Sequence, residues 1–368
     1  ARVELERILK LNDAAQSVGS KESEHHHVAN VLFNIMRGGY FVDGYTVGSY
    51  EFAGFVREWN VPAYAALERK LQQLPERLSV RDLRAWGLQT GDPLAHRLTY
   101  EYLPLTFSRR HGDPSRPWNE FFIQTHEEDG TPIIGYQGNW RDIFQNWEAL
   151  CLSYPDYYPS IIVKFLNATT IDGYNPYRIS HSGIDWEVPE PDNPWANIGY
   201  WGDHQIVYLT RLMVHAEAYA PNQLSELIGD PFFVFADVPY RIKPFADLLR
   251  DPRNSIEFDY QANERIRARS EQLGADGRLV LDGVDEPIRA TMMEKLLILL
   301  LAKSGNYVPG GGIWLNTQRP EWNDANNALA GWGLSVVTVS YLVQFVDVLS
   351  RLVSSTPTDG FTVHHEVA

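Results

Sequence analysis

The sequence predicts a mainly α fold, one domain over residues 1–368, built from helical hairpins arranged in a ring with a few short β-hairpins in the loops. Three observations lead there. Apolar residues recur at helical spacing in about a dozen segments, while strand signals are few. The segments are joined by long loops rich in aromatic and polar residues. Residues 334–353 are apolar nearly all round, as an inner helix of such a ring would be. No sequence repeat and no Gly/Ser-rich linker marks a boundary, and residues 1–120 carry the least of the pattern.

Taken in order, residues 3–16 form an amphipathic helix. The following loop holds Glu24-His25-His26-His27. Three consecutive histidines cannot all face one ion from a helix or strand, so a polar turn is expected and no metal site. Arg37-Gly38-Gly39-Tyr40 opens a glycine and aromatic turn. Helices follow at 49–59 and 63–74, parted by Asn60-Val61-Pro62, and Ser79 with Asp82 signals another helix start. Residues 108–119 are a polar loop. A hairpin is expected at 121–125 and 132–136, turning at Asp129-Gly130. Further helices are expected at 141–153, 157–168, 203–219, 222–229, 241–250, 256–273, 286–303 and 324–353, with strands at 232–235 and 278–281.

Composition narrows the function. The chain is 44% hydrophobic and 21% charged, an ordinary globular balance. Its net charge of -15 argues against a nucleic-acid partner and against an anionic membrane surface. Aromatic residues make 12% of it, and many lie in polar loops, as in Tyr174-Asn175-Pro176-Tyr177 and Asn193-Pro194-Trp195. Sugars use such loops, since their C–H faces pack on rings while their hydroxyls need polar partners. Aromatic loop anchors around a large core would give the same composition. The single cysteine, Cys151, lies in the apolar run 147–152 and excludes an intrachain disulfide, which fits a reducing cytoplasm. No signal-peptide pattern opens the chain. Residues 296–302 are too short to span a bilayer, and 334–353 read as a buried helix. A cytoplasmic protein is expected.

Three stretches carry chemistry. In Tyr200-Trp201-Gly202-Asp203-His204, the carboxylate of Asp203 opens a helix beside two rings. It reads either as an N-cap or as an acid held against a stacked sugar. In Trp140-Arg141-Asp142-Ile143-Phe144-Gln145, a helix start puts Arg141 and Gln145 on one face with Asp142 beside them. That trio suits neighbouring sugar hydroxyls, with Trp140 as a stacking surface; an ion pair and cap is the plainer alternative. In Glu321-Trp322-Asn323-Asp324, two carboxylates flank a Trp and an Asn before the most apolar helix. Such costly polar groups must all be satisfied. The loop Asp185-Trp186-Glu187 holds a further carboxylate pair, or is a surface turn.

The order WRDxxQ, YWGDHQ, EWND over residues 136–345 resembles the six-hairpin (α/α)6 toroid enzymes that cleave glycosidic bonds, closest to the cellobiose and chitobiose phosphorylase family. The resemblance implies that Arg141, Asp142 and Gln145 bind sugar hydroxyls, that Asp203 is the general acid, and that Trp322, Asn323 and Asp324 complete the sugar pocket. The chain departs from the family in having no room for its large N-terminal β-sandwich and in the residues before Asp203. No phosphate site stands out; Arg178, His181, His204 and Arg319 qualify by charge and sequence proximity alone.

The reading is therefore an inverting enzyme acting on a gluco-oligosaccharide, by hydrolysis or with inorganic phosphate, and needing no cofactor. Hydrolysis would need a base, with Glu321 preferred and Asp324 left for the sugar; Asp185 and Glu187 are a second carboxylate pair. The alternative is a non-catalytic sugar-binding or scaffold protein on a toroid. A polysaccharide lyase fits poorly with the acidic charge, and Gly310-Gly311-Gly312 lacks the Lys and Ser/Thr of a phosphate loop.

Overall fold

The computed structural model of the chain describes residues 2–17, 19–106, 124–176, 178–189, 192, 200–201, 205–252, 254–316 and 331–368. For residues 2, 37, 141, 142, 200, 201 and 205 the backbone alone is described. The chain is mainly α, with 54% helix, and its strands are two or three residues long. It divides into two compact units, one of residues 1–57, 63–161 and 178–182, the other of residues 58–62, 162–177 and 183–368.

The first unit holds helices α1 (Arg2–Leu11), α2 (Lys21–Gly38), α3 (Ser49–Trp59) but for its last two residues, α4 (Val61–Leu71) but for its first two, α5 (Val80–Gln89), α6 (Pro93–Glu101), α7 (Trp140–Ser153) and the start of α8 (Tyr158–Asn167). Helix α2 packs on α7 so closely that a Cβ on Gly38 would lie 3.0 Å from Asn146 Cβ, and Trp147 Nε1 donates to the Gly38 carbonyl at 3.0 Å. Strand Tyr40–Phe41 pairs antiparallel with Leu105–Thr106. The chain thus leaves and re-enters at one place, and residues between these strands form α3 to α6 with the paired strands Thr46–Gly48 and Arg77–Ser79. Their core is aromatic. Tyr102 packs on Phe52 and Phe55 with centroids 5.4 and 5.2 Å apart, and Phe41 stacks on Tyr157 at 3.8 Å.

The second unit holds α9 (Gln205–Tyr219), α10 (Gln223–Leu227), α11 (Phe245–Arg250), α12 (Tyr260–Leu273), α13 (Met292–Ser304) and α14 (Val336–Ser355). Leu209, Leu212 and Met213 of α9 and Phe345, Val348 and Leu352 of α14 are buried, and the two helices pack together. Strands Tyr307–Val308, Gly312–Trp314 and Leu334–Ser335 form one antiparallel sheet ahead of α14.

Several expectations shift by physical causes. The three histidines lie in α2, not in a turn, because Ser20 caps that helix by accepting from Ser23 N at 3.2 Å. A helix over 241–250 is barred by Pro244, whose ring disfavours helix upstream of it. Tyr240–Ile242 is instead a strand paired with Ile256–Phe258, and α11 starts at Phe245. Asp259 accepts from Ala262 N at 2.9 Å and starts α12 at Tyr260, while Thr291 accepts from Glu294 N at 3.2 Å and starts α13 at Met292. The hairpin at 124–136 is reduced to a bridge, His126 with Pro132, around a turn with Gly130 at φ 87°; residues 121–123 lie outside the described residues. Helix α14 is not buried all round. Val336, Val337 and Val343 are each over 60% exposed, so its apolar surface exceeds the stripe it buries. By length and composition alone it could cross a membrane.

Candidate active site

Gly202, Asp203 and His204 lie outside the described residues, and so do Arg319, Glu321, Trp322, Asn323 and Asp324. What the structure describes is the backbone on either side of those two segments. Strand Tyr200–Trp201 pairs antiparallel with Asn175–Pro176, Trp201 opposite Asn175. Helix α9 begins at Gln205, with Ile206 buried as the periodicity predicts. The backbone ahead of Asp203 is thus pinned to residues 175–176.

The segment 317–330 has a closed stem. Gly331 N donates to the Leu315 carbonyl at 2.5 Å, and Leu315 N donates to the Gly333 carbonyl at 3.1 Å. Trp314 Nε1 adds a bond to the Gly331 carbonyl at 3.1 Å. Gly331 has φ 81°, and a Cβ there would lie 2.2 Å from the Pro252 carbonyl oxygen, so only glycine fits.

A strap, residues 169–176, joins the two stems. Asn175 is the strand partner of Trp201. The neighbouring Tyr174 hydroxyl donates to Asn316 Oδ1 at 3.1 Å and accepts from Asn316 Nδ2 at 2.8 Å. Asn316 is the last described residue before 317–330. The strap runs along one face of α13. Lys295 Nζ donates to the Thr169 carbonyl at 3.0 Å. Gly173, at φ 79°, lies where a Cβ would be 2.7 Å from Ala302 Cβ. Lys303 Nζ sits 5.4 Å from the Tyr174 ring centroid. Positions 295, 302 and 303 fall on one stripe by helical spacing. Burial pushes the Tyr174 hydroxyl up to about 12, opposed by its bonds to Asn316 and Asn306. Sequence reasoning missed Tyr174 and Asn316 as a pair; the signal for Tyr174 was an aromatic within the polar run 174–177.

In the first unit, strand Gln137–Asn139 leads into α7. Trp140 is fully buried, edge-on to Phe144 with centroids 5.5 Å apart. It offers no open ring face for a sugar in this structure. Gln145 is exposed. Arg141, described by its backbone, lies one turn before it on the same face. Asn139 is the N-cap of α7, yet its side chain makes no capping bond, and both ends of its buried amide lack a hydrogen-bond partner. Arg178 lies opposite Asn139 in the strand pair, and the His181 ring packs edge-on to Phe55 at 5.3 Å.

Asp185, the last residue of strand Gly183–Asp185, and Glu187 just after it are half-buried in the second unit. Between them Trp186 is buried, donating Nε1 to Asn263 Oδ1 at 2.9 Å, and the Glu187 carbonyl accepts from Tyr240 Oη at 2.6 Å. Trp186 thus anchors this segment onto α12. Among the described residues no group of three or more His, Cys, Asp or Glu is placed to hold a metal.

No curated protein matches the chain. Residues 41–104 match the family model described as glycoside hydrolase family 149 insertion domain 1. The matched span coincides with α3 to α6, and its ends meet where Phe41 pairs with Leu105, as an inserted module requires. The match supports a relation to carbohydrate-active enzymes of the glycoside hydrolase and phosphorylase kind.

Proposed function

We propose that the chain is a glycosidic-bond-cleaving enzyme acting on a gluco-oligosaccharide with inversion, on the (α/α)6 toroid that its motifs resemble. Asp203 is the general acid, protonating the leaving oxygen. In hydrolysis Glu321 is the base, taking the proton of a water that attacks the anomeric carbon from the other face. In phosphorolysis a phosphate oxygen makes that attack and no base is needed. Arg141, Asp142, Gln145, Trp322, Asn323 and Asp324 bind the sugar, with Tyr200, Trp201 and His204 beside the acid.

One observation carries this reading. The strap 169–176 ties the stem before Asp203 to the stem before Glu321, through Asn175 on one side and Tyr174 on the other. The described residues that flank those two segments, Trp201 and Asn316, thus each meet the one strap, which supports a reading in which two carboxylates act together. The insertion-domain match adds support for carbohydrate chemistry.

The test is product analysis on a panel of gluco-oligosaccharides, with and without inorganic phosphate, with Asp203→Asn in parallel. A sugar phosphate formed only with phosphate, and abolished in the variant, is the phosphorolysis outcome. Cleavage without phosphate, equally abolished, makes it a hydrolase and turns attention to Glu321. Cleavage that survives in Asp203→Asn rejects the acid assignment and promotes Asp185 or Glu187. Binding without cleavage gives the non-catalytic alternative.

A further inference from the structure

We propose that a groove between α3 and α4 is a second sugar site, which holds a gluco-oligosaccharide without cleaving it. The proposal takes only its class of ligand from the reading above. The groove has a volume of about 410 Å³, within the range of ligand sites, about 300–1,000 Å³. Two helix faces line it. Tyr50, Gly54 and Arg57 recur at helical spacing along α3, as do Tyr64 and Glu68 on α4 and Gln72 just past its end. All six lie within residues 41–104, the span that matches the insertion domain.

The groove has the chemistry of a site for an uncharged sugar. The Tyr50 ring is 87% exposed. Tyr64 is half-buried, with the Arg57 guanidinium 5.9 Å from its ring centroid. Open aromatic rings give the C–H faces of a sugar a surface to pack on. The exposed side chains of Arg57, Glu68 and Gln72 offer donors and acceptors to its hydroxyls, and no side-chain hydrogen bond or ion pair to a described residue occupies them. Gly54 lies inside a helix, and a Cβ there would meet nothing within 4 Å. Neither backbone angle nor packing within the protein calls for glycine at that position, whereas a bare glycine lets a ligand approach the backbone. Arg57 faces the carboxylates of Glu51 and Glu68 as the one cation of the lining, so the groove carries no net positive charge and does not favour an anion.

The experiment titrates glucose hexamers with β-1,4, β-1,3 and α-1,4 links into the full chain carrying Asp203→Asn, read by calorimetry and by hydrogen exchange. At least one hexamer is expected to slow exchange in α3 and α4 about threefold or more. Adding Tyr50→Ala or Tyr64→Ala should weaken that binding about 3- to 10-fold. Gly54→Leu keeps a good helix former in α3 and should abolish the protection by filling the groove. Tyr50 is exposed and Gly54 faces open space, so the melting temperatures of Tyr50→Ala and Gly54→Leu should move by no more than about 5 °C. Disaccharide cleavage should be the same with Tyr50→Ala alone as without it. Unchanged exchange in α3 and α4 with every hexamer, or protection that survives in both Tyr50→Ala and Gly54→Leu, would overturn the proposal. Protection of the groove in a chain that cleaves no sugar would reject the enzyme and leave the second site standing, while cleavage without protection would do the reverse.

Discussion

Lys295 is wholly buried, donating to the Thr169 and Val234 carbonyls at 3.0 and 2.7 Å, with its Nζ 3.8 Å from the Phe235 ring centroid. Burial holds its pKa well below the ordinary lysine value, against the pull of Glu294. Its folded pKa is lower than its unfolded one. Between that lowered value and about 10.4, the unfolded chain therefore binds more protons, and stability owed to this group rises with pH. Lys295→Met is expected to lose about 1–3 kcal/mol at neutral pH, because two carbonyls lose a donor, and to flatten the rise. Urea titrations of both proteins at neutral pH and at about pH 9 check both effects. Tyr174 titrates in the opposite sense. Its hydroxyl is raised to about 12, so its contribution is full below about pH 10 and lost as pH climbs through 12. Tyr174→Phe should remove that part of the alkaline decline.

At the scale of elements, legibility followed the range of the signal. Ser79 and Asp82 form a cap within four residues, and the structure has it, Ser79 accepting from Asp82 N at 3.0 Å. Thr291 and Glu294 carry the same signature, but apolar periodicity upstream drew the expected helix start back to 286. Pro244 gave a clear stop that the spacing of apolar residues overrode. Helix α6 escaped notice although Asp92 caps it and Pro93 opens it, because its buried Arg97 and Glu101 do not read as a core face. They form an ion pair at 3.1 Å, each almost fully enclosed. The tie from Tyr174 to Asn316 spans 142 residues, and nothing local announces it. Glycine positions fall in the same class. Gly274, at φ 94°, lies where a Cβ would come within 2.3 Å of the Glu58 carbonyl oxygen. Gly274→Ala is expected to destabilise by more than about 1 kcal/mol, since both its backbone angle and its neighbours exclude a side chain. Thermal unfolding of the variant checks this, with Gly283→Ala, where a Cβ meets open space, as the contrast.

For the whole molecule, the mainly helical class was legible from periodicity, and the division into two units was not, because no linker composition marks it. Each unit has a core of its own, built on Phe41, Phe52 and Trp147 in one and on Leu209, Leu296 and Phe345 in the other. Calorimetry is therefore expected to give a calorimetric enthalpy above the van't Hoff value; equality of the two would show a single cooperative transition. In the first unit the ring of Trp140, expected as a stacking surface, is spent on the core.

The strap has a consequence for how the protein is made. Thr169 waits for Lys295, which lies 126 residues further on, and Tyr174 waits for Asn316. At ordinary translation speeds that delay is on the order of ten seconds. During it the first unit's helices can already close on one another, because their partners have been synthesised. The strap is fixed to α13 only once that helix has left the ribosome. A nascent chain stalled between residues 176 and 292 would thus hold a folded segment 41–104 and a strap still without its partners on α13.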